Sequence, residues 1–159
     1  MKKIKLLFIL FSYLFSFSNG FSLKNIITKS NPYNYYVLAV QKWCSSEYKI
    51  HGLWPQYNEH KWPSFCKDLK YKKPQKNLLK EMEMYWNTCG NDDLWKHEWE
   101  KHGSCVEIFL ALKENEYFEK TLKLYKDNLK KIHNNCNGEK NCYNNCFDLE
   151  FNNIDCPSN

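Results

Sequence analysis

The length, composition and charge of the sequence limit the kinds of protein it can encode. Its 159 residues are enough for one domain with a modest core, and no second domain is expected. Its formal net charge of +5 is too small to indicate a nucleic-acid partner by itself. The sequence has no arginine, so any bound phosphate group must contact lysine, histidine or backbone donors.

The first 20 residues have the pattern of a secretory signal peptide. Three lysines precede an apolar run at 6–17, and small residues at 18–20 form a cleavage site. The run is shorter than the roughly 20 residues that span a bilayer. We therefore expect residues 1–20 to be removed, leaving residues 21–159 as a single domain with a net charge of +2 and no stable association with a membrane.

Eight cysteines follow the predicted signal peptide, and an even number in an exported chain predicts four disulfides. A zinc site is the competing interpretation. The sequence has no Cys-x-x-Cys pair and the secretory pathway is oxidising, so disulfides are favoured over metal binding. The cysteine count alone permits many pairings.

Residues 35–43 predict the first strand, because β-branched and aromatic side chains dominate them. Residues 48–53 predict a second, short strand. The two Trp-Pro pairs that follow, at 54–55 and 62–63, predict an irregular loop.

Three helices are predicted after this loop. Helical spacing of apolar residues indicates one helix from Pro74 to about residue 86, a second at 93–112 and a third at 117–132. The lysine-rich stretch 67–76 is interpreted as a solvated face rather than as an RNA-binding patch. A last short strand is predicted at 146–149.

Two short segments carry most of the candidate chemistry. Residues 50–55 read IHGLWP, and residues 97–105 read HEWEKHGSC. On a helix, His97 shares a face with Lys101, and Glu98 shares a neighbouring face with His102, because residues four apart are adjacent. The two histidines of the second segment are five apart rather than four, which disfavours a zinc metalloprotease.

Taken singly, His51 is typical of a buried histidine bonded to the backbone, and the helix is typical of a surface with ion pairs. Taken together, they match the needs of RNA cleavage without a metal. One group must remove the proton of the ribose 2′-hydroxyl, another must protonate the leaving 5′-oxygen, and cations must contact the phosphate. Two histidines and a lysine meet these needs, since imidazole changes charge between about pH 5 and 8.

Both segments resemble the active-site motifs of the ribonuclease T2 family, which includes secreted acid endoribonucleases and plant S-type self-incompatibility ribonucleases. The resemblance covers most of the chain after residue 20, because YYVLAVQKWC, WPSFC, YFEKTLKLYKDNL and CFDLEFNNIDCP are also similar to family segments. It implies an α+β fold in which an antiparallel sheet is flanked by helices and stapled by disulfides. The implied pairs are Cys44 with Cys89, Cys66 with Cys105, Cys146 with Cys156 and, last, Cys136 with Cys142.

The resemblance also implies roles for five residues. His102 would act as the general base, His51 as the general acid, and His97 would bind the phosphate. Glu98 and Lys101 would flank the pentacoordinate phosphorane, where the lysine opposes the growing negative charge.

A base pocket is implied around Trp54, because stacking on an aromatic face favours bases. Gln56 stands where the family often has Asp or Asn, and the neighbouring aromatic is either Tyr57 or Trp62. The base preference is therefore open.

The implied reaction is metal-independent cleavage of single-stranded RNA through a 2′,3′-cyclic phosphate to 3′-phosphate ends, without a cofactor and at mildly acidic to neutral pH. DNA lacks the 2′-hydroxyl and should not be cut. The implied protein is a monomer that is secreted, or that reaches a lysosome or vacuole through the secretory pathway. Its biological role, whether nutrition, defence, effector or self-incompatibility, is open.

The sequence also departs from the family pattern. No proline follows Trp43, a second local disulfide near it is missing, and the stretch between about 132 and 146 is shorter than in typical members. The short stretch fits either a compact variant or an incomplete gene model.

Two other functions compete with this interpretation. A secreted effector or recognition protein could keep the fold and act by binding, which loss of a catalytic residue would have favoured. A zinc-binding or lectin-like module could use the histidines and tryptophans, and metal analysis of purified protein separates it from a ribonuclease that is fully active in EDTA.

Overall fold

An antiparallel sheet forms the centre of the computed structural model, which describes residues 32–90 and 93–157; the predicted signal peptide lies outside them. The strands follow the order β2-β1-β4-β5, and β3 also pairs with β1. The α+β class with an antiparallel sheet, predicted from the sequence, is confirmed. The strands are β1 (Tyr35–Gln41), β2 (Lys49–Gln56), β3 (Asn141–Cys142), β4 (Cys146–Phe147) and β5 (Asn153–Ile154).

All the described helices follow β2 and precede β3 in the sequence, and they pack against the sheet. No helix in the described part of the chain is both long enough and apolar enough to cross a membrane. The helices are α1 (Lys76–Tyr85), α2 (Asp93–Glu98), a π-helical segment (Trp99–Gly103), α3 (Ser104–Leu110), α4 (Glu114–Asp127) and α5 (Leu129–Cys136).

Strand β1 is buried along its whole length, because it has neighbours at both edges and side chains packed on both faces. Tyr36, Leu38 and Val40 point into the main core against the helices. Tyr35 and Val37, on the opposite face, form a smaller buried cluster with the disulfide Cys146–Cys156. The continuous apolar run of β1 thus serves two separate clusters.

Strand β2 extends further than predicted. Trp54 and Pro55 belong to the strand and pair with Val37 and Tyr36, so the prediction of a loop starting at Trp54 is wrong. Strand β2 lies at the edge of the sheet. An edge strand tolerates proline because, on its open side, no neighbouring strand needs the N–H that proline lacks.

Two predicted helices are interrupted. The helix predicted at 93–112 contains the π-helical segment, and the helix predicted at 117–132 stops at Asn128 and restarts as α5. The side-chain amide of Asn128 donates a hydrogen bond to the backbone carbonyl oxygen of Leu124 (2.8 Å). This bond competes with the backbone hydrogen bond that would continue the helix.

All eight cysteines are paired. The disulfides are Cys44–Cys89, Cys66–Cys105, Cys136–Cys142 and Cys146–Cys156, which are the pairs that the resemblance implies.

Candidate active site

Strand β2 carries an irregularity at the position of His51. Ala39 pairs with Gly52 and Val40 pairs with Ile50, so His51 is an extra residue without a partner on β1. Such a β-bulge shifts the alternation of side chains by one residue. Because of it, both Ile50 and Leu53 reach the main core, while His51 avoids the core face on which strict alternation would place it with Leu53.

The bulge is held by a buried tryptophan. The indole N–H of Trp86 donates a hydrogen bond to the carbonyl oxygen of His51 (2.8 Å), and Trp86 itself is fully buried in the core. Two residues further along β2, the hydroxyl of Tyr117 donates a hydrogen bond to the carbonyl oxygen of Leu53 (3.1 Å). The His51 side chain therefore projects from a fixed backbone.

Glu98 connects the two sequence motifs. It is almost fully buried, and one carboxyl oxygen accepts a hydrogen bond from the indole N–H of Trp54 (2.6 Å). The other oxygen lies 3.6 Å from Nε2 of His51. This contact requires a glycine at position 52, since a Cβ atom there would overlap the carboxyl group of Glu98 and lie 2.5 Å from Nε1 of Trp54.

His102 lies in the π-helical segment, against the same indole. Its ring stacks on Trp54 with centroids 5.1 Å apart, and the ring of His51 contacts Trp54 edge-on, also at 5.1 Å. π-Helical turns occur frequently at functional sites. Nδ1 of His51 and Nδ1 of His102 are buried and hydrogen-bond to no described residue, so no partner at Nδ1 fixes the tautomer of either ring.

The second motif is tied to the loop after β2. Disulfide Cys66–Cys105 joins the two, the N–H of Phe65 donates to the carbonyl oxygen of Lys101 (2.9 Å), and the N–H of Cys66 donates to Oγ of Ser104 (3.1 Å). These bonds fix the helical turn that carries His102.

His97 and Lys101 lie at the outer side of the same turn. His97 is exposed and contacts the ring of Phe65 edge-on at 6.3 Å, while Lys101 is half-buried. Glu98 and His102 are buried on the side that faces β2. The predicted division of the helix into two polar faces thus separates the exposed His97 from the buried Glu98 and His102.

Burial changes the protonation of this cluster. It lowers the pKa of His51 to about 4 and that of His102 to about 3, and the positive charge of Lys101 acts in the same direction on both. Burial also lowers the pKa of His97, together with Lys101. For Glu98, burial raises the pKa to about 8 against the hydrogen bond from Trp54. Near neutral pH the free site therefore holds two neutral imidazoles and a protonated carboxyl group.

These shifts predict that the contribution of the site to the free energy of unfolding is greatest near pH 6.5. Below pH 6.5, His51 and His102 each bind a proton in the unfolded chain but not in the folded protein. Folded Glu98 binds one proton more than unfolded Glu98 down to about pH 4.5. The net loss on acidification is about 1.4 kcal/mol per pH unit. Above pH 6.5, folded Glu98 still holds a proton that the ionised carboxyl group of the unfolded chain has lost, so the fold loses stability as the pH rises toward 8.

Urea unfolding at pH 5, 6.5 and 8 with disulfides intact tests this prediction. The variant Glu98→Gln keeps a neutral side chain of the same shape at every pH. We expect it to lose the decline in stability between pH 6.5 and 8 that the wild type shows. A decline of equal slope in both proteins would show that Glu98 is not the group responsible.

A cavity of about 500 Å³ opens beside these groups, and we call it the Trp54 cavity. Of the residues predicted to contact a base, Trp54, Gln56 and Trp62 line it. Tyr57 does not; its ring packs on Tyr33 with centroids 5.6 Å apart. The full wall consists of Tyr35, Val37, Trp54, Gln56, Glu59, Trp62, Lys101, His102, Tyr143, Asn144, Cys146, Cys156 and Pro157.

Sequence reasoning missed one side of this cavity. Tyr143 and Asn144 belong to the cysteine-rich C-terminal segment, in which only disulfide cysteines were predicted as site residues. The available signal was an aromatic residue directly after Cys142 in a segment with few other large side chains. Within residues 32–90 and 93–157, no three His, Cys, Asp or Glu side chains are grouped so as to hold a metal ion.

The fold and the site define an α+β protein with two imidazoles set on one indole, and known proteins share this fold. The sequence model of the Ribonuclease T2 family matches residues 27–137. Ribonuclease DdI of Dictyostelium discoideum is 30% identical over 143 residues, which cover 77% of this chain and 63% of that protein. The crystal structure of RNase NT in complex with 5′-AMP has 27% identity and a TM-score of 0.54, and the match covers 64% of this chain and 61% of that one.

The chain therefore belongs to the ribonuclease T2 family. It matches smaller parts of other relatives: Ribonuclease 3 of Arabidopsis thaliana is 38% identical over 50% of this chain and 38% of that protein, and Ribonuclease T2 of Homo sapiens is 38% identical over 49% and 32%. The matched part of the chain thus spans less than half the length of these two relatives.

Proposed function

We propose that this protein is a metal-independent endoribonuclease that cleaves single-stranded RNA with His102 as general base and His51 as general acid. The observation that carries the proposal is that both imidazoles contact the indole of Trp54, each at 5.1 Å between ring centroids. Two histidines 51 residues apart in sequence thereby meet at one indole, which lines the cavity together with His102. Membership of the ribonuclease T2 family supports this assignment.

In the first step, neutral His102 accepts the proton of the ribose 2′-hydroxyl and the 2′-oxygen attacks phosphorus. The bond from phosphorus to the 5′-oxygen breaks, and His51 in its protonated form donates a proton to that oxygen. The product is a 2′,3′-cyclic phosphate, which water then opens to a 3′-phosphate with the two roles reversed. Side chains supply every proton transfer, so the reaction needs no cofactor.

His51 must be protonated before it can act as the acid, and the free site disfavours this. An RNA phosphate brings a negative charge, which raises the pKa of a nearby imidazole. Binding of the substrate phosphate thus raises the pKa of His51 above its value in the free site and favours the protonated form. Activity should therefore favour mildly acidic to neutral pH.

The remaining polar groups are proposed to bind the phosphate. His97 provides an imidazole N–H donor and Lys101 a cationic donor at the open side of the turn, where the negative charge of the phosphorane develops. Glu98 keeps its proton because burial raises its pKa to about 8, so it is able to donate a hydrogen bond to a phosphoryl oxygen.

The Trp54 cavity is proposed to bind a nucleobase, with Gln56 and Trp62 in its wall. Tyr57 would act behind this wall, through its contact with Tyr33, rather than by touching the base.

The proposed setting is the secretory pathway. The signal-peptide pattern at residues 1–20 and the four disulfides support export, either to the outside of the cell or to a lysosome or vacuole. In that setting residues 21–159 act as one domain and as a monomer, with single-stranded RNA as the partner, without DNA as a substrate and without stable membrane association.

The test is release of cyclic-phosphate ends from single-stranded RNA by the oxidised protein at pH 5 to 7 in EDTA, with single-stranded DNA of the same sequence as control. We expect cleavage of RNA only. A folded protein that leaves RNA intact would exclude the enzyme and favour a secreted protein that acts by binding. Activity that disappears in EDTA would contradict metal independence.

A further inference from the structure

One wall of the Trp54 cavity comes from outside the two motifs. Tyr143 lies between β3 and β4, and its ring stacks on the indole of Trp54 with centroids 5.4 Å apart and planes 29° apart. Tyr143 as a residue remains 45% exposed, although its side chain is large and mostly apolar. Tyr143 and Asn144 both line the cavity. Tyr143 therefore covers part of the indole and presents an exposed aromatic ring to the cavity.

The backbone that presents Tyr143 is firmly held. Disulfides Cys136–Cys142 and Cys146–Cys156 flank it on both sides. Between them, the carbonyl oxygen of Asn145 accepts a hydrogen bond from the N–H of Leu38 in β1 (2.9 Å). Asn145 itself is buried, and its amide lies 3.7 Å from the sulfur atoms of Cys136 and of Cys142.

The side chain of Asn144 is placed differently. The backbone carbonyl oxygen of Asn144 accepts a hydrogen bond from the side-chain amide of Asn135 in α5 (2.7 Å), which fixes the backbone, while the residue as a whole is exposed at the cavity. An amide side chain offers both a donor and an acceptor, so it can hydrogen-bond to the edge of a base. Its position relative to a stacked ring decides which base matches.

We propose that Tyr143 and Asn144 are specificity-determining residues of the nucleobase site: Tyr143, which is itself stacked on Trp54, offers the free face of its ring to the base, and Asn144 hydrogen-bonds to the edge of that base. The proposal rests on the proposed ribonuclease function. The ligand class is a nucleobase in single-stranded RNA, because aromatic rings and one amide suit a flat ring with polar edges. A loop held by two disulfides binds such a ring with little loss of conformational entropy.

The test compares kcat/KM on dinucleoside monophosphates that differ in a single base. We expect Tyr143→Ala to lose roughly tenfold or more on the preferred base, mainly through KM, because one stacking face is removed. Tyr143→Phe, which retains the aromatic ring, should lose less kcat/KM than Tyr143→Ala. Asn144→Ala should change the order of preference among the four bases. Trp43→Ala is the matched control, since Trp43 is exposed to a similar degree (50%) and does not line the cavity.

The outcomes separate this proposal from the proposed function. If wild type cleaves and Tyr143→Ala has the same or a higher kcat/KM on every substrate, Tyr143 does not hold the base and the proposal fails. If wild type cleaves no RNA, the ribonuclease function fails, and titration of wild type and Tyr143→Ala with the four nucleoside monophosphates decides whether Tyr143 binds bases. Equal affinities in that titration would overturn the proposal.

Discussion

Replacing either His51 or His102 by alanine is expected to reduce the rate of RNA cleavage roughly 10²- to 10⁴-fold, which is the range that one positioned acid or base contributes. In the proposed mechanism each histidine moves a different proton, so neither is able to substitute for the other. The measurement is the initial rate of release of cyclic-phosphate ends at pH 5, 6 and 7. The stability of each variant is measured alongside, because His102 is only 2% exposed and its removal leaves a cavity.

The chain offers matched controls for this experiment. His60 and His133 are exposed histidines outside the Trp54 cavity, and His60→Ala and His133→Ala should cleave RNA at the rate of the wild type. A pH profile that loses one limb in each catalytic variant would assign the base and the acid separately. If His51→Ala kept most of the activity while remaining folded, the two-histidine mechanism would be wrong.

Replacing Gly52 by alanine is expected to reduce cleavage roughly 100-fold or more, because displacements of about 1 Å in an active site have effects of that size. The added methyl group would overlap the carboxyl group of Glu98 and crowd Nε1 of Trp54. Nε1 of Trp54 already donates a 2.6 Å hydrogen bond to this carboxyl group, so one of the two side chains must move. The overpacking should also lower the free energy of unfolding by about 1–3 kcal/mol.

Gly138→Ala separates the two effects. Gly138 has a φ of +86° with open space around it, so alanine there strains the backbone by about 1–3 kcal/mol without touching the site. We expect similar losses of stability in the two variants, measured by urea unfolding, but loss of activity in Gly52→Ala alone. Full activity in a folded Gly52→Ala protein would mean that the contact of Glu98 with Trp54 is dispensable.

Most of the secondary structure and the candidate residues follow from local pattern. Strand β1 was predictable from its apolar run, and α1 from helical spacing after Pro74. The four-residue spacing of Glu98 and His102 was enough to place them on one side of a helix, and both are buried toward β2. These features depend on neighbours within one or two turns of the chain, which the sequence lists directly.

The arrangement of the site depends on contacts between distant segments. Strict alternation would place His51 on the core face with Leu53, and only pairing with β1 creates the bulge that frees it. The extension of β2 through Pro55 likewise depends on its place at the sheet edge.

The sequence by itself determined which residue types were available: two histidine motifs, the lysine and tryptophans within them, and eight cysteines. Only the tertiary structure decided that His51 and His102 meet on Trp54, that Trp62 rather than Tyr57 lines the cavity, and that Tyr143 closes one side of it. The reason is physical: composition and spacing fix the local backbone, whereas register, burial and the facing of side chains are set by packing between segments far apart in the chain.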